Sequence, residues 1–123
     1  MEHPLHILLV EDEVIFAMLL KAQLIRAGYD ICKHEVTGEN AIISAQQEKP
    51  DLILMDIKLA GSIDGIEAAS NIKSFSDIPI IFMTCYDNKD VRKRAMKTNP
   101  LDYLVKPITI EKLKLIIDSY FVR

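Results

Sequence analysis

The stretch PDLILMD, residues 50–56, places four apolar residues in a row directly before an aspartate. A continuously apolar run of this length is typical of a strand buried on both faces of a parallel sheet. Runs of similar length recur with amphipathic segments between them: HILLV from residue 6, YDICKH from 29, IPIIFMT from 78 and DYLVK from 102. The half-polar YDICKH suits the edge of such a sheet, whereas the continuously apolar runs suit its centre.

Each of these five runs precedes a segment with helical signals. The predicted helices cover residues 14–27, 37–48, 65–74, 89–98 and 109–121. Gly28 is the expected C-terminal cap of the first, Thr37 and Thr109 begin the second and fifth, and prolines end the second and fourth. Five strand-helix pairs in strict alternation predict an α/β fold, a doubly wound five-stranded parallel sheet. Ligands bind such sheets at the carboxyl ends of the strands, where the strand order reverses.

The composition is that of one soluble domain, which we expect to comprise residues 1–123. Half of the residues are hydrophobic and 27% are charged, a balance typical of globular proteins. The longest apolar run is too short to span a bilayer and the N-terminus does not resemble a signal peptide, so a cytoplasmic location without membrane contact is expected. The net charge of −3 gives no general attraction to nucleic acid. Cys32 and Cys85 lack metal-binding spacing and fit a reducing compartment.

Charged and hydroxyl side chains stand where the predicted strands end. They are Glu11 and Asp12 after the first strand, Asp56 after the third, Thr84 after the fourth and Lys106 after the fifth. Three carboxylates at one point offer the hard oxygen ligands that Mg²⁺ prefers together with water and phosphate oxygens. The hydroxyl of Thr84 and the ammonium of Lys106 could receive a phosphoryl group opposite them. The pattern predicts metal-assisted phosphoryl chemistry on Asp56, while Glu13 favours the positive start of the following helix.

Five elements in order, LLVEDE, PDLILMD, IDGIEAA, IPIIFMT and DYLVKP, resemble the receiver domain of two-component response regulators over essentially the whole chain. The resemblance, which is to the chemotaxis-regulator-like family, implies strand order 2-1-3-4-5 and a signalling phosphoprotein rather than an enzyme. It implies that Asp56 accepts a phosphoryl group from a histidine kinase or phosphotransfer protein, and that Lys106 pairs with that group. Glu11, Asp12, Asp56 and the backbone carbonyl of Lys58 would hold Mg²⁺.

The same resemblance implies how a signal leaves the domain. Thr84 would be the switch hydroxyl, and Tyr103 the switch aromatic that turns from exposed to buried behind it. Pro107 would follow a cis peptide bond. The output face would consist of helix 4, strand 5 and helix 5, which bind a downstream output domain or target protein and could also join two copies in a homodimer. The implied strand order separates Cys32 and Cys85 by about 14 Å, so both should remain thiols.

The loop after Asp56 departs from the family pattern, because Ala60-Gly61 stands where a proline is usual and Asp64-Gly65 comes one residue later than usual. Two alternative functions remain open. An aspartate-nucleophile phosphohydrolase would carry a second aspartate as general acid two residues after the first, but Ile57-Lys58 follows Asp56. A pseudo-receiver that acts by binding alone would not need the complete set of acidic, hydroxyl and ammonium groups.

The helix after the first strand is apolar on two sides. Its core stripe comprises Phe16, Leu20, Leu24 and Ala27, whereas Ile15, Met18, Ala22 and Ile25 fall on the opposite side. Exposed apolar patches mark partner surfaces, so we hypothesise that this side docks the helical bundle of a histidine kinase or phosphotransfer protein. The predicted fourth helix carries a basic run, Lys89, Arg92, Lys93, Arg94 and Lys97, which is interpreted as a solvated or output face rather than a DNA-binding patch.

Overall fold

The computed structural model describes residues 4–121, in which five strands alternate with five helices. The strands are β1 (His6–Val10), β2 (Asp30–Glu35), β3 (Leu52–Asp56), β4 (Ile80–Thr84) and β5 (Asp102–Val105). The helices are α1 (Val14–Arg26), α2 (Gly38–Glu48), α3 (Gly65–Lys73), α4 (Lys89–Met96) and α5 (Ile110–Tyr120). The predicted α/β alternation is confirmed. The expected domain bounds of 1–123 include residues 1–3 and 122–123, which lie outside the described residues.

The sheet is parallel throughout, and its strand order is β2-β1-β3-β4-β5, as the resemblance implied. β3 and β4 are buried along their whole length, whereas every residue of β2 retains some exposure at the sheet edge. The apolar and half-polar runs therefore occupy the places that their composition predicts. The strand order reverses between β1 and β3, so a crevice is expected at their carboxyl ends.

Two apolar layers cover the faces of the sheet. Leu9 and Leu54 point into the layer under α1 and α5, where Leu24 and Ile117 pack against them. The alternate residues of the same strands face the opposite layer under α2, α3 and α4, which includes the fully buried Phe82. None of the helices in residues 4–121 has the length and apolar character required to cross a membrane. Both cysteines are free thiols, as predicted.

Local polar residues set the helix ends. Four N-cap side chains, those of Thr37, Asp64, Asn88 and Thr109, each accept a hydrogen bond from the amide three residues on. α1 ends one residue earlier than predicted, and Gly28 follows its cap with a φ of 102°. α4 ends at Met96, two residues short of the prediction, because the chain turns at Asn99, whose φ is 59°.

Candidate functional site

Side chains at the carboxyl ends of four strands surround a crevice of about 250 Å³ at the predicted edge of the sheet. Its lining residues are Asp12, Glu13, Asp56, Lys58, Cys85, Tyr86 and Lys106. In the sheet register, Asp56 of β3 lies beside Met83 of β4, and the neighbouring Thr84 lies beside the end of β5. The parallel topology therefore brings the residues that follow distant strands into one place.

Asp56 is the last residue of β3 and is only 6% exposed. Its Oδ1 accepts a 2.7 Å bond from the amide of Ile57, and its Oδ2 accepts a 3.2 Å bond from the ammonium of Lys106. Gly65, the first residue of α3, packs tightly against this strand end. A Cβ at that position would lie 2.0 Å from the carbonyl oxygen of Asp56, so glycine is required where α3 begins.

Glu11 is fully buried behind Asp56 and fixes Lys106. Its Oε1 accepts a 2.6 Å bond from the Lys106 ammonium, and its Oε2 accepts a 3.0 Å bond from the amide of Glu13. Nε2 of His34, on the neighbouring strand β2, lies 2.8 Å from the carbonyl oxygen of Glu11. A buried carboxylate is stable only when it is paired and hydrogen-bonded, and both oxygens of Glu11 have such partners.

The burial of these groups changes their protonation. Burial and the adjacent Glu11 carboxyl together raise the pKa of Asp56 to about 7, although the ammonium of Lys106 acts in the opposite direction. Burial lowers the pKa of Lys106, but its bonds to Glu11 and Asp56 outweigh this and raise it overall. A further positive charge in the crevice would favour the ionised form of Asp56.

Three carboxylates could hold such a charge. Glu11, Asp12 and Asp56 each offer one oxygen atom, and these atoms lie within 4.8 Å of one another. The set consists of oxygen alone, which fits a hard divalent cation such as Mg²⁺. Asp12 is partly exposed, so an ion can approach from the solvent side. The peptide bond between Lys106 and Pro107 is cis, as the resemblance implied.

Residues 7–118 match the response regulator receiver domain family. The chain belongs to that family. The receiver is 38% identical over 110 residues to the transcriptional regulatory protein PdtaR of Mycobacterium tuberculosis, covering 89% of this chain and 53% of PdtaR. It is 37% identical over 110 residues to ZraR of Klebsiella oxytoca, covering 89% of this chain and 24% of ZraR. The receiver therefore spans about half, or less, of the length of these curated relatives.

Solved structures show the same fold. The receiver domain of a modulated diguanylate cyclase from Desulfovibrio desulfuricans G20 is 35% identical with a TM-score of 0.89, covering 94% of this chain and 92% of that one. A chain of the CheX-CheY complex from Borrelia burgdorferi, which contains BeF3 and Mg²⁺, is 25% identical with a TM-score of 0.90, covering 98% and 92%. These ligands belong to that complex.

The two predicted switch residues of this receiver meet at the backbone of Tyr86. The hydroxyl of Thr84 accepts a 2.8 Å bond from the amide of Tyr86 and donates to its carbonyl at 3.3 Å. Tyr103 is buried, and its hydroxyl donates to the same carbonyl at 3.3 Å. The ring of Tyr103 lies under the guanidinium of Arg92, 4.5 Å from its centroid. Thr84 thus stands at the expected strand end with its hydroxyl bonded to the following loop.

Glu13 lies at the N-cap of α1, at the helix start where the sequence places it. Its side chain makes no capping bond. Instead it lines the crevice, with Oε1 3.8 Å from Nζ of Lys106. The expectation that Glu13 merely favours the helix start was therefore incomplete, because the short turn from β1 into α1 leaves its carboxylate beside Lys106.

The solvent side of α1 is apolar, as its residue spacing predicts. Ile15 is 85% exposed, Met18 65% and Ile25 51%, and Ala22 between them is exposed as well. Leu19 extends the patch at 59% exposure. Leu19 shares this side by helical spacing, four residues after Ile15 and three before Ala22, so its exposure is predictable from the sequence although the predicted patch does not include it.

Two contacts near the crevice were not predicted. The ammonium of Lys58 donates a 2.8 Å bond to the hydroxyl of Tyr86, which links the loops after β3 and β4. The carboxylate of Glu39 accepts bonds from Ser62 and holds the loop after Asp56 against α2. Lys58 and Tyr86 are 28 positions apart in the chain, and Glu39 and Ser62 are 23 apart, so no local sequence motif predicts either contact.

Proposed function

We propose that this receiver is the phosphoacceptor domain of a two-component system or phosphorelay. A histidine kinase or phosphotransfer protein would phosphorylate Asp56 in a Mg²⁺-dependent reaction, and the product would switch a partner-binding face. The observation that carries this proposal is the position of the Asp56 carboxylate. It lies 3.2 Å from the Lys106 ammonium and shares a cluster within 4.8 Å with Glu11 and Asp12, at an open crevice.

The chemistry follows from these groups. An oxygen of ionised Asp56 attacks the phosphorus of a phosphohistidine, the P–N bond breaks, and its electron pair returns to the imidazole nitrogen, leaving an acyl phosphate on Asp56. Lys106, which Glu11 holds at 2.6 Å, remains close enough to pair with the phosphoryl oxygens. We assign Mg²⁺ to Glu11, Asp12, Asp56 and the carbonyl of Lys58; when bound, it neutralises charge between the carboxylate and the transferring oxygens.

The output step would use Thr84 and Tyr103. If the hydroxyl of Thr84 turned toward a phosphoryl group on Asp56, it would leave the backbone of Tyr86, to which Tyr103 is also bonded. That rearrangement would change the face formed by α4, β5 and α5. Each of these three elements exposes an apolar side chain, Met96, Val105 and Leu115 respectively, which supports contact with a downstream output domain, a target protein or a second copy of the chain.

The basic run on α4 does not support binding of nucleic acid. Arg92 forms a bidentate pair with Asp87, and Arg94 pairs with Asp64 at 3.1 Å, so acidic neighbours compensate part of its charge. A protein surface that binds the phosphates of a nucleic-acid duplex needs a larger positive charge that acidic neighbours do not compensate. The cytoplasmic location expected from the sequence belongs to this proposal as well.

Phosphorylation can be tested with a small phosphodonor. Acetyl phosphate with Mg²⁺ should give one phosphoryl adduct by intact-protein mass spectrometry, and the adduct should disappear in Asp56→Ala. No adduct on the wild type would refute the function and favour a pseudo-receiver. An adduct that persists in the variant would refute the site. Continuous release of phosphate from a stable organic phosphate ester would instead indicate a phosphohydrolase.

The α1 patch can be tested separately from the chemistry. Ile15→Glu with Met18→Glu should slow transfer from a phosphorylated kinase or phosphotransfer protein, yet leave labelling by acetyl phosphate unchanged. Ile43→Glu is the matched control, because Ile43 is an exposed isoleucine on a different helix, α2, at 48% exposure. Transfer from the protein donor at the wild-type rate would exclude this docking surface.

A further inference from the structure

The loop that follows the phosphoacceptor is tied to the start of α2. Oε2 of Glu39, in the first turn of α2, accepts a 2.9 Å bond from the amide of Ser62 and a 2.5 Å bond from its hydroxyl. Thr37 and Ala60 form an isolated parallel β-bridge beside it. Residues 57–64, which connect β3 to α3, are therefore held at the start of α2 through both a side chain and the backbone.

Two glycines lie where the loop meets the start of α2. Gly61 has a φ of 96°, and a Cβ there would lie 2.6 Å from Oε1 of Glu39. A Cβ on Gly38 would lie 2.8 Å from the side chain of Ile63, which would have to shift to make room for it. The bonds from Ser62 lower the pKa of Glu39, because they stabilise the ionised form of this carboxylate.

This loop is where the chain departs from the receiver pattern, with Ala60-Gly61 in place of a proline and one additional residue before Asp64. A proline restricts the backbone of a loop through its fixed φ, whereas glycine and an extra residue increase its conformational freedom. An anchor outside the loop can supply the missing restriction. Glu39 is placed to do so, because both of its bonds go to the residue directly after Gly61.

We infer that Glu39 is a positioning residue for the metal site. It fixes residues 57–64 and thereby the position of Lys58, two residues beyond Asp56, whose carbonyl completes the proposed ligand set. This inference rests on the proposed function. A positioning role of Glu39 differs from a purely stabilising role in one measurable respect. Loss of the Glu39 side chain should weaken cation binding in a protein that is still folded.

The test is a titration with Mg²⁺ alone, followed by ¹H–¹⁵N NMR shifts of the crevice amides, including Ile57. Glu39→Ala should weaken Mg²⁺ binding about tenfold, the lower end of the effect seen when residues that orient metal ligands are removed. Glu39→Gln removes the same charge but keeps an acceptor oxygen, so it should restore most of the affinity. Glu48→Ala removes an exposed carboxylate from the far end of α2 and should bind as the wild type does.

The outcomes separate anchoring from electrostatics. Wild-type affinity in Glu39→Ala would overturn the inference, and so would Glu39→Gln binding as weakly as Glu39→Ala, since charge alone would then explain the loss. If Glu39→Ala does not fold, Ser62→Ala removes only the hydroxyl bond and should weaken binding less; unchanged affinity in that variant would also overturn the inference. A wild type whose crevice amides do not respond to Mg²⁺ would refute the proposed function itself, and the inference with it.

Discussion

Replacing Asp56 by asparagine should stabilise the metal-free protein, and the gain should grow as the pH rises. The carboxyl of Asp56 is buried beside Glu11, which raises its pKa from 3.8 to about 7. Between these two pH values the folded protein holds a proton that the unfolded chain has released. A rise in pH through this window therefore lowers the free energy of unfolding of the wild type. The decrease is complete above the folded-state pKa.

The magnitude follows from the two pKa values. Their difference corresponds to a loss of about 4 kcal/mol when the carboxyl is fully ionised in both states. About 1 to 2 kcal/mol of that loss has already occurred at pH 5, so about 2 to 3 kcal/mol remains between pH 5 and pH 8. Asparagine cannot ionise, and its oxygen can still accept the bond from the Ile57 amide that Oδ1 accepts in the wild type. The variant should therefore lack this part of the pH dependence.

Urea denaturation at pH 5 and pH 8 with EDTA measures the effect. The free energy of unfolding of Asp56→Asn minus that of the wild type should increase by about 2 to 3 kcal/mol between the two pH values. Asp102→Asn is the matched control, because Asp102 also accepts a bond from the next amide but lies at the start of β5, away from the carboxylate cluster. Parallel pH profiles for wild type and Asp56→Asn would refute the reasoning.

Three further perturbations test the same region. At pH 8, Mg²⁺ at 100 times its dissociation constant should stabilise the wild type by about 2.7 kcal/mol, and far less stabilisation is expected in Asp12→Asn, as thermal unfolding would show. Lys106→Met leaves Glu11 and Asp56 without their shared cation. In urea denaturation its free energy of unfolding should be lower than that of the wild type by about 3 to 5 kcal/mol at pH 8. The difference should be smaller at pH 5, because Asp56 then holds a proton. Gly65→Ala places a Cβ against the backbone of Asp56 and should cost about 3 kcal/mol or more, so an unchanged melting temperature would contradict the packing described for that glycine.

Much of the fold is predictable because its signals are local. Each central strand is a continuously apolar run, and threonine side chains cap two of the helices at the predicted starts, Thr37 and Thr109. Helix ends depend on less local features: α4 ends two residues before its predicted end, because the left-handed turn at Asn99 is not specified by residue type alone. The strand order came from the family resemblance, since burial patterns alone do not distinguish the neighbours of a central strand.

The candidate site was predictable at the level of residue types, because the carboxyl ends of parallel strands converge on one edge. Side-chain geometry was not predictable. Lys106 lies closer to Glu11, at 2.6 Å, than to Asp56, at 3.2 Å, and no sequence pattern predicts that order. The hydrogen-bond partners of Thr84 and Glu39 also depend on how the loops pack against the sheet, and no periodic sequence pattern predicts those contacts.

The contacts of Glu11 connect the chemistry to the proposed docking surface. One of its oxygens accepts a bond from Lys106, and the other accepts a bond from the amide of Glu13, the N-cap residue directly before α1. A phosphoryl group on Asp56 would compete with Glu11 for the Lys106 ammonium, and a cation would compete for the carboxylate itself. Either event changes the electrostatic surroundings of a carboxylate that is bonded to the amide of Glu13, the N-cap residue of the helix that carries Ile15 and Met18. We therefore expect variants of Glu11 to alter both cation binding and transfer from a protein donor, whereas variants of the exposed Ile15 should alter transfer alone.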